Sequence, residues 1–374
     1  MAKMTKLTTA ASAAAILVAV AGCGTANNTS GGNTSSGNGA QSSGGSQKVT
    51  LAETGSSLLY PLFNGQWIDA YKSVDSNVTL TAGSTGSGNG ISQSLAGTVQ
   101  IGASDAYLSK AVMQQHSGML NIPMAISAQQ IMYNIPGLNK KHLHLSGNVI
   151  GQVYEGKIKY WDNSAIKALN PGVSLPHKQI VPVRRSDGSG DTFLFTQFLS
   201  KTNTAWGNQV HYGTTVSWPK VSAEVGAKGN EGVVTDLAND KYSIGYVGIS
   251  WLDKATQKGV GYAALKNKSG NFVLPNSTNI KAAAANLPSV PADERVSLIE
   301  MPGKNSYPII NFEYAIVKSQ QKDAATAKAL KKFLDWAISP TGGNQAKYLN
   351  PVHFRPLPSN IEPKSKAQIA KIKG

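Results

Sequence analysis

Cysteine is all but missing from this chain: 374 residues carry one, Cys23. A single thiol excludes an intrachain disulfide and any cysteine-based metal site. Long hydrophobic runs are missing as well, and the apolar stretch at 10–20 is too short to span a bilayer. Lys and Arg outnumber Asp and Glu by 35 to 20, a formal net charge of +15, yet no dense basic stripe with interleaved aromatics occurs. That favours anionic partners in general, such as wall polymers and acidic lipids, and argues against a nucleic-acid interface. Familiar catalytic signatures fail too. The G-S-G-N-G at 86–90 has no G-K-[ST] after it, and G-A-S-D-A at 102–106 misses G-x-S-x-G. His142 and His144 have no further histidine or acidic cluster beside them, so they read as partly exposed strand residues and no metal is expected.

What is present begins at the N-terminus. Lys3 and Lys6 precede the apolar run, and V-A-G-C at 20–23 places small residues directly before the cysteine. This is a secretory signal resembling the lipobox of bacterial lipoproteins. It predicts a signal peptide at 1–22, lipidation of Cys23 and a membrane anchor outside the cytoplasm. Residues 24–46 are almost wholly Gly, Ser, Asn, Thr, Ala and Gln and cannot bury enough apolar surface to fold. The segment 23–47 is therefore a flexible tether with a reach of roughly 25–30 Å.

The folded part reads as alternating strands and helices. Strands are predicted at 48–52, 78–81, 99–103, 131–134, 180–183, 243–247, 307–310 and 314–317. Helices follow from the 3.6-residue spacing of Leu58, Leu59, Leu62, Phe63, Trp67, Ile68 and Tyr71, with Ser57 as N-cap, and of Leu194, Phe195, Phe198 and Leu199. Further helices carry Ile91 and Leu95, Val233, Val234 and Leu237, and Ala327 to Ala337. Such alternation predicts an α/β fold whose ligand crevice lies outside the carboxyl ends of its strands.

Four loops at strand ends collect short donors on a Gly-rich backbone: Ser56-Ser57-Leu58, Gly86-Ser87-Gly88, Ser104-Asp105 and Arg185 through Asp191. The last, V-R-R-S-D-G-S-G-D-T-F at 183–193, sits where a helix begins. Alone it is equally an ordinary capped turn or an oxyanion site formed by helix N–H groups and an arginine. Four such loops in an exported chain point to the anion site.

The sequence resembles the phosphate-binding lipoproteins (PstS-type) of high-affinity phosphate ABC transporters, especially the actinobacterial type. The likeness runs from about Leu51 to Leu357. It includes L-A-E-T-G-S-S-L-L-Y-P-L-F at 51–63, G-S-T-G-S-G-N-G at 83–90, I-G-A-S-D-A-Y-L-S at 101–109, G-K-I-K-Y-W-D at 156–162, R-S-D-G-S-G-D-T-F-L-F-T-Q at 185–197 and Y-P-I-I-N-F-E-Y-A-I-V at 307–317. The resemblance implies a two-lobed, type II periplasmic-binding-protein fold with the ligand cleft between the lobes. Lobe I would comprise 48–134 plus 304–374, and lobe II 135–303. It implies a monomer that binds inorganic phosphate and delivers it to the transmembrane permease subunits, with no cofactor and no catalysis.

Carried over by position, Ser56, Ser57 and the Leu58 N–H would donate to phosphate from one helix start, and Ser87 from another. Asp105 would accept from a proton-bearing phosphate oxygen. Arg185 would form a charge-assisted pair and be held by Asp187, with Ser189 and Gly190 donating from the third helix start. Arg184 has no matched role and is expected at the surface. Asp191, where many relatives carry threonine, leaves three options: a protonated carboxyl, an acceptor from protonated phosphate, or a side chain turned away with its N–H in the site. Sulfate, fully ionised near neutral pH, offers Asp105 no proton, so the site is expected to prefer phosphate. Competing readings are a secreted phosphate-ester hydrolase, for which no nucleophile–base pair is evident, and a phosphate-liganded surface adhesin.

Overall fold

The computed structural model describes residues 48–374. The signal peptide, the lipidated Cys23 and the tether lie outside the described residues. Twelve strands are present among those described: β1 (Val49–Gly55), β2 (Val78–Thr81), β3 (Ile101–Ser104), β4 (Met119–Tyr133), β5 (His144–Leu145), β6 (Val181–Arg185), β7 (Val225–Ala227), β8 (Ser243–Gly248), β9 (Gly261–Tyr262), β10 (Ala264–Lys266), β11 (Phe272–Val273) and β12 (Ile310–Lys318). Nine form one sheet in the order β2-β1-β3-β12-β4-β8-β6-β7, with β9 on the flank of β4; β11-β10-β5 make a small second sheet.

The long sheet has two halves. In one, β2, β1 and β3 are parallel; in the other, β7, β6 and β8 are parallel. Between them run β12 and β4, antiparallel to each other and to their outer neighbours. Strand β4 belongs to both halves: Met119–Ala128 pair with β12, and Gln129–Tyr133 pair with β8. All fifteen of its residues are buried, as a strand covered on both faces requires, so hydrophobic alternation is lost. The expected strand at 131–134 is only its far end.

Pro123, inside this central strand, has no N–H for the ladder. The sheet accommodates it with a bulge: Glu313 faces Ala125, Tyr314 faces Pro123, and Met124 has no partner across. The Met124 carbonyl instead accepts from Asn344 Nδ2 at 2.6 Å.

Helices cover both faces. The helical run 60–72, with a π turn at Phe63–Trp67, packs its aromatic side against the helix Ala324–Ile338. Trp67 and Phe333 lie 6.2 Å apart between ring centroids, Tyr71 and Phe333 5.1 Å. Helices Ser87–Ala96, Gly190–Thr202 and Gly229–Asn239 complete the layers nearest the crevice. Among the described residues no helix is long and apolar enough to cross a membrane.

Several expectations shift. Of the two strands expected at 307–310 and 314–317, the second lies within β12, which starts at Ile310; of the first only Ile310 joins it, and Ile309 makes no more than an isolated bridge with Ile299. Ser56, not Ser57, accepts from the N–H groups of the turn that leads into the helix at Tyr60, those of Leu58 and Leu59 at 3.1 and 3.0 Å. His142 has φ 49° and lies ahead of β5, so it shares no strand face with His144. Arg184 is not a free surface residue. Its guanidinium pairs with Glu224 at 2.6 Å and covers the Trp218 ring.

Candidate oxyanion site

The predicted loops meet at one place, where the two halves of the sheet face each other. Strand β1 runs out into Ser56 and Ser57, β3 into Asp105, and β6 into Arg185, while Ser87 opens its helix after β2. The two sides touch directly: Gly88 N–H donates to the Gly188 carbonyl at 2.9 Å. A Cβ on Gly88 would press on Gly188 Cα at 3.0 Å, so glycine is what allows these backbones to approach.

Three helix starts supply N–H groups. Ser189 is the N-cap of Gly190–Thr202 and accepts from Thr192 N at 3.1 Å, leaving its hydroxyl proton to donate. The N–H groups of Gly190 and Asp191 lie in the first turn and have no intrahelical partner. Ser87 begins its own helix after Gly86, at φ 91°, and its hydroxyl accepts from Asp105 N at 3.3 Å. Gly190 lies against these groups: a Cβ there would collide with the Asp105 carboxylate and lie 2.5 Å from Ser87 Oγ.

Arg185 is buried and fully braced. Its Nε and one terminal nitrogen clasp Asp187 at 2.7 and 2.5 Å, and the other terminal nitrogen meets Asp191 Oδ2 at 2.8 Å. Its backbone N–H donates to Tyr246 at 2.9 Å, and Tyr246 stacks on Phe195. Burial costs Asp187 some acidity, but the Arg185 bond and charge hold its carboxyl below the ordinary range. Two of the five guanidinium N–H groups are not used in these contacts.

Asp191 turns into the protein. Oδ1 accepts from Gln129 Nε2 at 3.1 Å, and Oδ2 from Arg185 and from Asn230 Nδ2 at 2.6 Å. Burial raises its pKa above the ordinary carboxylate value; the Arg185 charge and the Gln129 and Asn230 bonds oppose the shift, and the nearby Asp187 adds to it. Asp105 is different. Burial, then the nearby Asp191, raise it to about 7, opposed by hydrogen bonds with Glu313 and Ser56 and by the Arg185 charge.

Sequence reasoning missed two parts of the site. The first is a fourth helix start, Gly229-Asn230. Gly229 N–H donates to Asp187 Oδ1 at 3.1 Å; Asn230 reaches Ser57 Oγ through its N–H at 3.0 Å and its Nδ2 at 2.9 Å. Gly-Asn after β7 is the same strand-to-helix signal as the other three. The second is a polar floor from the two central strands. Ser127 and Gln129 on β4, and Asn311 and Glu313 on β12, are all buried, each pair separated by an apolar residue. Asn311 Nδ2 donates to the Asp105 carbonyl at 2.7 Å, and Ser127 Oγ to Glu313 at 2.5 Å. Polar residues at i and i+2 within apolar strands were the available signal.

The arrangement is rich in fixed N–H donors, carries one immobilised guanidinium, and presents one carboxylate towards a helix start. Helix starts of this kind accept oxyanions, and a lone carboxylate among them requires a proton on the guest. A surface hollow of about 410 Å³ between Val78, Asp75, Lys328 and Lys332 holds none of these residues.

Comparisons with known proteins agree with the architecture. Residues 29–341 match the family model of the PBP superfamily domain. The phosphate-binding protein PstS of Xylella fastidiosa (strain 9a5c) is 36% identical over 317 residues, covering 84% of each chain. That of Pasteurella multocida (strain Pm70) is 36% identical over 324 residues, 86% of this chain and 90% of its own. Phosphate-binding protein PstS 3 of Mycobacterium leprae (strain TN) is 29% identical over 352 residues, 92% of each. Among solved structures, the phosphate-bound periplasmic phosphate-binding protein PfluDING superposes with TM-score 0.69 at 21% identity, over 85% of this chain and 93% of that one. A putative phosphate ABC transporter substrate-binding protein from Clostridium perfringens gives 0.60 at 18% identity, over 83% and 100%. The fold is thus the two-lobed periplasmic-binding-protein fold, and the chain belongs to the PstS family of phosphate-binding proteins within the PBP superfamily.

Proposed function

We propose that this protein captures inorganic phosphate outside the cell membrane and delivers it to the permease of an ABC transporter. The observation that carries the reading is the convergence of helix starts on a buried Arg185 and Asp105, in a family whose relatives bear the name phosphate-binding protein. Ser57, Ser87, Ser189, Gly190 and the N–H of Asp191 act as donors to phosphate, with the Leu58 N–H shared with Ser56 Oγ; the Ser56 hydroxyl, expected as a further donor, instead gives its one proton to Asp105. Asp187 holds Arg185, and Asp105 accepts the phosphate proton. The Asp191 carboxylate serves Arg185 rather than the ligand, since protein donors occupy both its oxygens.

Lobe I takes in 48–134 and 304–374, and lobe II 135–303. The change of partner along β4 at Ala128/Gln129 supports a hinge a few residues ahead of that 134/135 boundary. The carbonyls of Ala292 and Glu294 accept from Gln368 and Tyr314, so the return crossing is broad. The chain acts as a monomer, held to the membrane through lipidated Cys23 and the 23–47 tether.

Calorimetry of the ligand-stripped protein tests the reading. Phosphate is expected to bind tightly at one site, sulfate not at all, and a phosphate ester not to be turned over. Equal binding of both anions, or ester hydrolysis, would overturn it.

A further inference from the structure

Glu313 is a fully buried acid to which the phosphate-binding reading gives no task. It sits at the centre of the sheet on β12, next to the bulge that Pro123 imposes. Its neighbour two positions back, Asn311, binds the Asp105 carbonyl. The alternation of the strand therefore points both side chains at Asp105. One Glu313 oxygen accepts from Ser127 at 2.5 Å; the other, Oε2, meets no N–H or hydroxyl donor among the described residues. The antiparallel register that sets Tyr314 opposite Ser104 brings Glu313 opposite Asp105, where each carboxyl group acts on the ionisation of the other.

Two carboxyl groups so placed, shut off from water, cannot both be ionised, so one proton lies between them. Its position follows from the groups around the pair. Asp105 receives the Ser56 hydroxyl and the field of Arg185. Glu313 receives only Ser127, and the negative charges of Asp105 and Asp191 oppose its ionisation. Tyr314, beside it on β12, is itself buried and neutral. Charge is therefore cheaper on Asp105, and the proton belongs to Glu313.

We propose that Glu313 is a positioning residue that donates its proton to Asp105, fixing Asp105 as a carboxylate, so that the pair selects oxyanions able to donate a proton in return. The inference rests on the phosphate-binding reading above. With Oδ1 taken by Ser56, the Asp105 oxygen that faces Gly190 meets the ligand as an acceptor only. Were the Glu313 donor removed, Asp105 would lose a bond that favours its charged form, take up a proton itself, and become a donor. Sulfate could then be accommodated.

The test compares Glu313→Leu with Glu313→Gln, whose amide N–H can replace the lost proton. Phosphate and sulfate are titrated by calorimetry near pH 6 and pH 8. Glu313→Leu is expected to gain at least about tenfold in sulfate affinity near pH 6 and less at pH 8, while Glu313→Gln restores the exclusion. Unchanged exclusion in Glu313→Leu, or equal relaxation in both variants, would overturn the proposal. Should Glu313→Leu not fold, infrared spectroscopy decides. In difference spectra against the unmodified protein at neutral pH, a protonated-carboxyl component is expected to be lost in Glu313→Gln and kept in Asp105→Asn; the reverse pattern places the proton on Asp105 and refutes the assignment. Failure of the unmodified protein to bind phosphate would instead overturn the functional reading.

Discussion

Asn230 ties the two halves of the site together, and its replacement gives a quantitative test of that role. The side chain is wholly buried. Nδ2 donates to Ser57 Oγ at 2.9 Å on one side and to Asp191 Oδ2 at 2.6 Å on the other, while Oδ1 accepts from Gly248 N at 2.8 Å. Asn230→Ala leaves Ser57 with the backbone N–H at 3.0 Å. It orphans the Gly248 N–H, which costs about 1–3 kcal/mol, and removes a charge-assisted bond to Asp191 worth about 1.5–3 kcal/mol. Since the two terms share one site and some relaxation follows, the expected loss is roughly 3–4 kcal/mol of unfolding free energy.

Asn230→Asp separates charge from shape. It keeps an acceptor for Gly248 but sets a second carboxyl against Asp191. The introduced acid avoids repulsion only by keeping its proton, so its acidity in the folded protein falls below that of the unfolded chain. A group shifted upward in this way stabilises least at high pH. The deficit relative to the unmodified protein should therefore be small near pH 5 and grow by pH 8. Urea unfolding at both values measures it. A loss below about 1 kcal/mol in Asn230→Ala, or a pH-independent deficit in Asn230→Asp, would refute the bridging role.

Gly190→Ala should fold, because the first helical position tolerates alanine, but its methyl would collide with Asp105 and crowd Ser87. Holding the lobes apart should lower phosphate affinity by about 2–3 kcal/mol, measurable by calorimetry, and unchanged affinity would show that the lobes close otherwise. Glu294, fully enclosed and bonded to Ser365 at 2.9 Å, is pushed up to about 8 by burial. The folded state keeps this proton while the unfolded chain releases it, so stability falls as pH rises from about 4.5 to about 8. Glu294→Gln should match the unmodified protein near pH 5 and exceed it by roughly 2–4 kcal/mol at pH 9 in thermal or urea melts.

The parts of the site legible in the sequence were those built at strand-to-helix turns. Gly-Ser loops followed by helical periodicity, as at Gly86-Ser87 and Ser189-Gly190, advertise free N–H groups through local chemistry alone. What stayed hidden depends on register. Gln129 and Glu313 look like isolated polar residues in buried strands until pairing sets them beside Asp191 and Asp105. The same holds for the strands themselves: β4, buried on both faces, lacks the alternation that would mark its length, and only its last residues stood out. The serine that meets the N–H groups ahead of the first helix is Ser56 rather than Ser57, since two adjacent serines offer equal capping chemistry in the sequence. Geometry divided them, giving Ser56 to its own helix and Ser57 to Asn230 across the cleft.

On the proposed phosphate reading, Arg185 is not expected to be the main source of anion affinity, although its guanidinium is braced in the site. Its charge is already met by Asp187 at 2.5 Å and Asp191 at 2.8 Å, and Asp105 adds a further carboxylate. An anion entering this crevice finds no excess of positive side-chain charge. The stabilisation must come from uncharged donors: helix-start N–H groups, the serine hydroxyls and the two guanidinium N–H groups left over. Donors of this kind do not need to lose a counter-charge when the ligand leaves, and their directions are fixed by the helices that carry them. The same reckoning limits how many acids the floor can ionise. With Asp187, Asp191 and Asp105 already charged around one arginine, a fourth carboxylate at Glu313 would set the site against any anion, and keeping that residue protonated is what lets the crevice hold one.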